Sequence, residues 1–189
     1  MIKAIVFDCF GVLVSDGWLA FKHRHFDADK HLFDQVTEIN QQVDAAAISY
    51  DTFISRVAEL AKVNKDDVKN EIEQNLPNLE LFDFISTELK NKYPLGILSN
   101  AAANWLDELF TPEQLALFDT YALSFEIGAI KPQAIAYVTI AKKLGVELNE
   151  CVFIDDQLRY CEGAAAVGMK TIHYTDFDSF KSQLAIALN

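Results

Sequence analysis

The sequence predicts an α/β fold, a three-layer Rossmann-like core around a parallel sheet, with a small all-helical cap inserted into it. Short apolar runs alternate with longer segments of helical periodicity, which is typical of parallel strands joined by crossover helices. A helix-rich stretch also separates the first predicted strand from the second, and it is much longer than one crossover requires. A chain of 189 residues can hold a core with a small insert and bury a substantial apolar interior.

Five short apolar runs are predicted to be the strands of the sheet. They are Ile2–Phe7, Leu95–Leu98, Thr120–Phe125, Val152–Ile154 and Thr171–Tyr174. Three later segments have helical periodicity, namely Pro132–Leu144, Leu158–Val167 and Asp176–Leu188. Gly145 and Gly168 follow the first two of these, at the position where glycine commonly ends a helix. The alternation of strands and helices therefore continues to the end of the sequence.

The long stretch between the first two strands is predicted to be helical. It contains His31–Val43, Tyr50–Ala61 and Lys65–Asn75, followed by Leu81–Lys92 as the crossover helix that returns to strand two. We therefore expect residues 15–76 to form the cap, and residues 1–14 and 77–189 to form the core. Because the insert leaves the core just after the first strand, it is expected to cover the carboxyl ends of the strands, where open parallel sheets bind ligands.

The amino-acid composition limits which classes of ligand and partner are expected. The formal net charge is −12, with 28 acidic and 16 basic residues, so binding to nucleic acid or anionic membranes is not expected. No apolar run is long enough to span a bilayer, and the N-terminus has no signal-peptide pattern. None of the three cysteines, Cys9, Cys151 and Cys161, forms a CxxC pair. Cys9 and Cys151 lie in apolar runs and are expected to be buried thiols in a reducing compartment, which predicts a cytoplasmic protein. The sequence gives no indication of an oligomeric state.

Polar side chains follow the predicted strands at or just beyond their carboxyl ends. They are Asp8, Ser99, Asn100, Lys131, Asp155 and Asp156. Asp8, Ser99 and Lys131 each have an ordinary explanation as a cap or a surface charge, whereas the adjacent carboxylates after the fourth strand are harder to explain in that way. A parallel sheet gathers these ends on one edge, however, so we expect the side chains to lie together. Three carboxylates so close raise one another's pKa unless a cation joins them, and Mg²⁺ prefers such oxygen ligands.

The same segments, in the same order, resemble the motifs of the haloacid dehalogenase superfamily. They read FDCFGVL around Asp8, ILSN before Ala101, KP at Lys131, and FIDD ending at Asp156. The resemblance covers Ile2–Leu13 and Pro94–Met169, and the insert after the first motif is similar to that family's small cap. It therefore implies a hydrolase with the core and cap predicted above.

The resemblance also implies roles for these residues. Asp8 is the expected nucleophile, attacking phosphorus, or carbon in the dehalogenases, to form a covalent aspartyl intermediate. Ser99 is expected to hydrogen-bond the transferring group, and Lys131 to screen its charge. Asn100 and Phe10 are the expected substrate contacts, for a small phosphorylated substrate. The implied Mg²⁺ ligands are Asp8, Asp155, Asp156 and the backbone carbonyl of Phe10.

Phe10 departs from the phosphatase pattern. Phosphatases of this superfamily usually carry a second aspartate there, as general acid and base, and such a group contributes roughly a hundred- to ten-thousand-fold in rate. The resemblance therefore leaves two alternatives open, a 2-haloacid dehalogenase and a weakly catalytic domain that binds a phosphorylated ligand or a protein. The acidic pair Asp155-Asp156 argues against a metal-free dehalogenase, because carboxylates beside Asp8 without a metal are electrostatically unfavourable.

The cap contains one basic cluster, Lys22-His23-Arg24-His25. Charge runs are usually solvated, so a solvated helix face is expected, although the cluster could also reach an anionic substrate. Asp16 could substitute as an acid or base. Trp18 is expected to pack inside the cap, and Trp105 on a helix that begins near Ala101.

Overall fold

The core is a five-stranded parallel sheet with strand order β3-β2-β1-β4-β5. The computed structural model describes residues 1–188, so residue 189, the last of the predicted core, lies outside the described part. The strands are β1 Ala4–Phe7, β2 Leu95–Ser99, β3 Thr120–Leu123, β4 Cys151–Asp155 and β5 Lys170–His173. Every neighbouring pair is parallel, and β1 lies at the centre between β2 and β4.

Helices cover both faces of the sheet. After the cap the chain forms α5 Leu79–Phe84, α6 Leu106–Leu109, α7 Pro112–Leu115, α8 Ser124–Ile127, α9 Ala134–Leu144, α10 Leu158–Ala166 and α11 Phe177–Leu188. A π-helical turn, Ile85–Leu89, extends α5, and a 3₁₀ turn, Leu148–Glu150, precedes β4.

Alternate residues of β1 point to opposite faces, as the strand pleat requires. Ile5 and Phe7 pack with α5 and α11 residues such as Phe180, whereas Ala4 and Val6 pack with α9 and α10 residues. The three-layer α/β fold is thus confirmed.

Three local predictions were wrong. The Ala101 N–H is bound by the Ser124 hydroxyl at 2.9 Å, so the chain stays irregular there and α6 starts at Leu106. The strand predicted over Thr120–Phe125 ends at Leu123, because Ser124 already begins α8. Pro132 precedes α9 rather than lying in its first turn.

Four helices form the cap region: α1 Gly17–Phe26, α2 Lys30–Asp44, α3 Tyr50–Ala61 and α4 Lys65–Ile72. They enclose a hydrophobic cluster of their own, which includes Phe21, Val36, Phe53 and Val57. Each helix begins at a residue whose side chain accepts a backbone N–H, as N-caps do. The bounds of α1 were not predicted, although its cap, Asp16, provides the usual signal for a helix start.

The two ends of this helical region leave the core side by side. The Ser15 N–H donates to the Leu76 carbonyl oxygen, and the Leu76 N–H donates to the Ser15 hydroxyl, both at 2.9 Å. The adjacent Asn78 N–H donates to the Leu13 carbonyl oxygen at 2.9 Å. The paired exit agrees with an insert over residues 15–76, and that division stays a prediction.

All three cysteines are buried and free, and burial was expected for Cys9 and Cys151. Among residues 1–188, none of the helices combines the length and the apolar character needed to cross a bilayer.

Candidate active site

The candidate site lies where β1 and β4 end next to each other. Phe7 pairs with Ile154, and the Asp8 N–H donates to the Ile154 carbonyl oxygen at 2.8 Å. This register places Asp8 near Asp155. The Lys131 ammonium joins them, because its Nζ lies 2.6 Å from Asp8 Oδ1 and 2.6 Å from Asp155 Oδ2. All three side chains are buried, so water does not weaken the contacts.

The carboxyl groups of the site raise one another's pKa. Burial raises the pKa of Asp8 well above its ordinary value, Lys131 opposes this, and Asp155 and Asp156 add to it. Burial and the Asp155 charge raise the pKa of Asp156 to about 7. Burial alone would lower the pKa of Lys131, yet the Asp155 and Asp8 carboxylates hold it above its ordinary value. A further cation would relieve the remaining repulsion.

Asp8, Asp155 and Asp156 could hold that cation, because one oxygen of each lies within 4.8 Å of the other two. Both oxygens of Asp155 already accept hydrogen bonds, one from Lys131 and one from the Gln157 N–H at 2.8 Å. Asp156 differs, because its buried Oδ1 has no hydrogen-bond partner within residues 1–188. A buried carboxylate oxygen without a hydrogen-bond partner is energetically unfavourable, and a metal ion bound to Asp156 Oδ1 would remove this cost.

Gly11 packs directly against the Asp156 carboxyl. A Cβ at Gly11 would lie 2.5 Å from both Cγ and Oδ2 of Asp156, and the Gly11 φ of +88° is itself unfavourable for other residues. Glycine at this position therefore leaves room for the Asp156 carboxyl and for the backbone turn after Asp8.

Asn100 holds the loop that carries Lys131. Its Oδ1 accepts the Lys131 N–H at 2.7 Å, and its Nδ2 donates to the Lys131 carbonyl oxygen at 3.2 Å and to the Tyr160 hydroxyl at 3.3 Å. Ser99 is buried at the end of β2, where its hydroxyl donates to the Asn100 carbonyl oxygen at 3.4 Å. The observed contacts of Asn100 are those of a loop-positioning residue.

A cavity of about 340 Å³ opens between the cap region and the sheet edge. Its wall includes four of the predicted site residues, Asp8, Phe10, Asn100 and Lys131, whereas Ser99, Asp155 and Asp156 are not part of it. The size suits a small metabolite. Phe10 is half-buried and also packs against the core, so its ring gives an apolar surface beside Asp8.

Two tryptophans expected to be packing residues also line this cavity. Trp18 packs on the cap cluster, its ring 5.1 Å from that of Phe53, and Trp105 lies with its ring 5.1 Å from that of Tyr50. All four rings line the cavity. The cavity wall therefore includes a group of four aromatic rings.

Asp44, at the end of α2, is a buried residue of the cavity wall that sequence reasoning missed. Its carboxyl accepts from Asn40 Nδ2 at 2.9 Å, and its backbone carbonyl oxygen accepts from the Ser124 hydroxyl at 2.6 Å. The same Ser124 hydroxyl binds Ala101, so it links the cap region to the loop after β2. No local pattern marks such a residue, because only the docking of the cap buries it.

Burial raises the pKa of Asp44 to about 7, from an ordinary value of about 4. The folded protein therefore holds a proton that the unfolded chain releases, so this group lowers stability as pH rises from 4 through 7. The loss is up to about 4 kcal/mol. We expect Asp44→Asn to be more stable than the wild type at pH 8 and close to it at pH 4. Urea unfolding of both proteins between pH 4 and pH 8 measures this difference. If the free energy of unfolding changed with pH in the same way for both, the prediction would be contradicted.

The basic cluster Lys22–His25 was expected to be a solvated helix face. His23 and Arg24 are exposed, and Arg24 pairs with Glu71. For Lys22 the expectation was wrong, because its side chain is 8% exposed and lines the cavity. Within this cluster, Lys22 is the residue that lines the cavity.

Comparisons with known proteins agree with the fold. The profile of the haloacid dehalogenase-like hydrolase family matches residues 2–168. A predicted HAD-like family hydrolase from Porphyromonas gingivalis is 22% identical, with a TM-score of 0.75 over 100% of this chain and 98% of that one. HAD family enzyme BT-2542 from Bacteroides thetaiotaomicron, in complex with magnesium and inorganic phosphate, is 24% identical, with a TM-score of 0.67 over 93% and 95%.

A curated relative is similar over a shorter segment. Phosphatase MT3486 from Mycobacterium tuberculosis is 44% identical over 54 residues, which are 29% of this chain and 25% of that protein. The matched segment thus spans a quarter of the relative's length. The family profile, in contrast, spans nearly the whole chain and includes every strand up to β4. Sequence and fold lead to the same result: the chain belongs to the haloacid dehalogenase-like hydrolases.

Proposed function

We propose that this hydrolase is a Mg²⁺-dependent phosphatase of a small phosphorylated metabolite and acts through an aspartyl-phosphate on Asp8. The observation that most strongly supports this proposal is the arrangement around the buried Asp8 carboxyl. Lys131 joins Asp8 to Asp155, and the Oδ1 of the nearby Asp156 has no hydrogen-bond partner in the described part of the chain. The phosphatase name of the curated relative and the magnesium and phosphate bound to BT-2542 support the proposal. We also propose a cytoplasmic location, supported by the three free thiols.

The residues present fit a magnesium ion. Asp8, Asp156 and the backbone carbonyl of Phe10 are the proposed ligands, and the two carboxylates are oxygen donors of the kind that Mg²⁺ prefers. The oxygens of Asp155 are engaged by Lys131 and Gln157, so we propose that Asp155 contributes charge and holds Lys131. When bound, Mg²⁺ offsets the negative charge of the phosphoryl group.

In the proposed first step, a carboxylate oxygen of Asp8 attacks phosphorus and the bond from phosphorus to the leaving-group oxygen breaks. The Lys131 ammonium, 2.6 Å from Asp8 Oδ1, orients the nucleophile and offsets charge on the transferring group. Water then attacks the phosphorus of the aspartyl-phosphate, which restores the Asp8 carboxylate and releases inorganic phosphate. Asn100 contributes by fixing the loop of Lys131 through two hydrogen bonds.

Gly11→Ala is expected to weaken Mg²⁺ binding at least about tenfold and to reduce activity in proportion, because the new Cβ collides with the Asp156 carboxyl 2.5 Å away. Gly168→Ala is the matched control, since Gly168 has a φ of +100° but no heavy atom within 4 Å of the position that a Cβ would take. Both variants carry backbone strain of about 1–3 kcal/mol. Mg²⁺ titration and urea unfolding separate the two effects, and equal Mg²⁺ affinity in both variants would contradict the proposed ligand.

Phe10 has no proton to give to the leaving group. We therefore propose that the enzyme favours substrates whose leaving group departs without protonation, such as aryl or acyl phosphates. Alkyl phosphates are expected to react much more slowly. Equal rates on phenyl phosphate and on an alkyl phosphate would count against this proposal.

Phe10→Asp is expected to raise the rate on alkyl phosphates roughly a hundred- to ten-thousand-fold, because the new carboxyl can donate and then accept a proton. Phe10→Asn is the matched control, since it has the same size and polarity but cannot transfer a proton. The measurement is kcat/KM with and without Mg²⁺. If the Asp and Asn variants have the same rates, the missing acid is not what limits turnover, and a domain that binds a phosphorylated ligand is the better account.

A 2-haloacid dehalogenase is the second candidate, favoured by the apolar residue at position 10. The two candidates differ in their need for a metal, because the carboxylates around Asp8 are proposed to bind Mg²⁺ only in the phosphatase. A screen of phosphate esters and 2-haloacids, with Mg²⁺ and with a chelator, separates them. Phosphate release that stops with chelator supports the phosphatase, and halide release in the presence of chelator supports the dehalogenase.

A further inference from the structure

Lys22 is a buried cation without an ion pair. Its side chain is 8% exposed, and no carboxylate oxygen of residues 1–188 lies within 4 Å of its Nζ. The Nζ lies 4.4 Å from the ring centroid of Phe33, which fixes the side chain against the cap. Burial lowers the pKa of Lys22, the Arg159 charge lowers it further, and Asp16 and Asp27 only partly offset this.

Arg159, on α10 of the core, is the second cation of the cavity wall. Its Nε and Nη2 donate to Gln157 Oε1 at 3.1 and 2.8 Å, and Nη2 also donates to the Tyr160 hydroxyl at 2.8 Å. The guanidinium carbon lies 4.5 Å from the ring centroid of Tyr160. The guanidinium is thus held in place by neutral groups and, in the described part of the chain, forms no ion pair.

The two cations come from different parts of the fold and line the same cavity as Asp8. Lys131 is not available in the same way, because both Asp8 and Asp155 already bind its ammonium. Lys22 is buried and Arg159 is exposed, and the Arg159 charge lowers the pKa of Lys22, so an anion bound by both would offset their repulsion. A chain of net charge −12 also needs local cations to attract an anionic ligand.

We propose that Lys22 and Arg159 together bind a second anionic group, on the leaving-group side of the substrate. The substrate is then a small aryl or acyl phosphate that also carries a carboxylate or a second phosphate. This rests on the proposed function, since it assigns the transferring phosphoryl group to Asp8 and Lys131. The aromatic wall that includes Trp18 and Trp105 accommodates the apolar part between the two anionic ends.

Binding of two non-hydrolysable phosphonates to the intact protein in Mg²⁺ buffer tests the proposal. Benzylphosphonate carries only the phosphonate, and 4-(phosphonomethyl)benzoate adds a carboxylate at the far end of the ring. We expect calorimetry to give at least about tenfold tighter binding of the benzoate, since a charge-assisted contact contributes on the order of a tenfold factor or more. Lys22→Met and Arg159→Met are each expected to reduce this preference to about twofold. Lys30→Met, an exposed cap lysine paired with Asp34, keeps it.

Two results would overturn the proposal. One is equal affinity of the wild type for both phosphonates. The other is an equal loss of affinity for both in the Lys22 and Arg159 variants, which would mean that these cations bind the phosphoryl group itself. Failure of the proposed phosphatase function would give a different result. In that case the wild type would still bind the benzoate more tightly than benzylphosphonate, but it would hydrolyse no phosphate ester.

Discussion

Asp8→Asn is expected to lose at least about a thousandfold in kcat, because the amide cannot attack phosphorus and form the covalent intermediate. The substitution keeps the size of the side chain. Its backbone N–H still donates to the Ile154 carbonyl oxygen, so the end of β1 is preserved. Steady-state hydrolysis of an aryl phosphate in Mg²⁺, with each variant checked for cooperative unfolding, measures the effect.

Asp16→Asn is the control for this loss. Asp16 is another carboxyl of the cavity wall, and its Oδ1 caps α1 by accepting the Leu19 N–H at 2.8 Å. Asparagine is an equally good cap, so the helix is retained. If Asp16→Asn removes activity as fully as Asp8→Asn, Asp16 contributes to the chemistry as well. Activity that survives in Asp8→Asn rules out Asp8 as the nucleophile.

Lys131→Met is the second large effect, and it is expected to reduce both activity and stability. The buried ammonium joins two buried carboxylates at 2.6 Å each, and removing it leaves their charges uncompensated. Breaking a buried ion pair from one side costs about 3–5 kcal/mol. Because Mg²⁺ is proposed to bind Asp8, one of these two carboxylates, it should restore part of the stability but not the activity. Urea unfolding with Mg²⁺ and with chelator measures this.

Lys90→Met is the matched control for the stability loss. Lys90 pairs with Asp119 at 2.9 Å, with side chains that are 27% and 47% exposed, so its removal is expected to cost less than about 1 kcal/mol. Equal destabilisation by the two substitutions would mean that the carboxylates around Lys131 are protonated and need no counter-ion.

The strand ends explain how much of the site could be predicted from sequence. Asp8 and Asp155 are adjacent because β1 and β4 are parallel neighbours, and any sheet with that order brings them together. The apolar runs also marked all five strands to within a few residues, since buried strands need continuous apolar sequence. The role of Asp155 as a partner of Lys131 could not be predicted, because it depends on a loop held by Asn100.

The cavity wall shows what sequence alone could not provide. Lys22 lies in a run of polar residues, and only the docking of α1 over the sheet edge directs it inward. Asp44 is buried for the same reason, with its backbone bound by Ser124 from a distant segment. Such contacts join residues that are far apart in the chain, so they cannot be predicted from the local periodicity of the sequence.

The most direct test of the central claim is whether phosphate becomes attached to Asp8 during turnover. The protein is mixed with a ³²P-labelled aryl phosphate in Mg²⁺, quenched in acid, and digested to locate the label. Because Phe10 cannot activate water, the intermediate is expected to accumulate as a hydroxylamine-sensitive acyl phosphate on the peptide that contains Asp8, and to be absent in Asp8→Asn. Turnover without label on Asp8, or label that persists in Asp8→Asn, would contradict the mechanism.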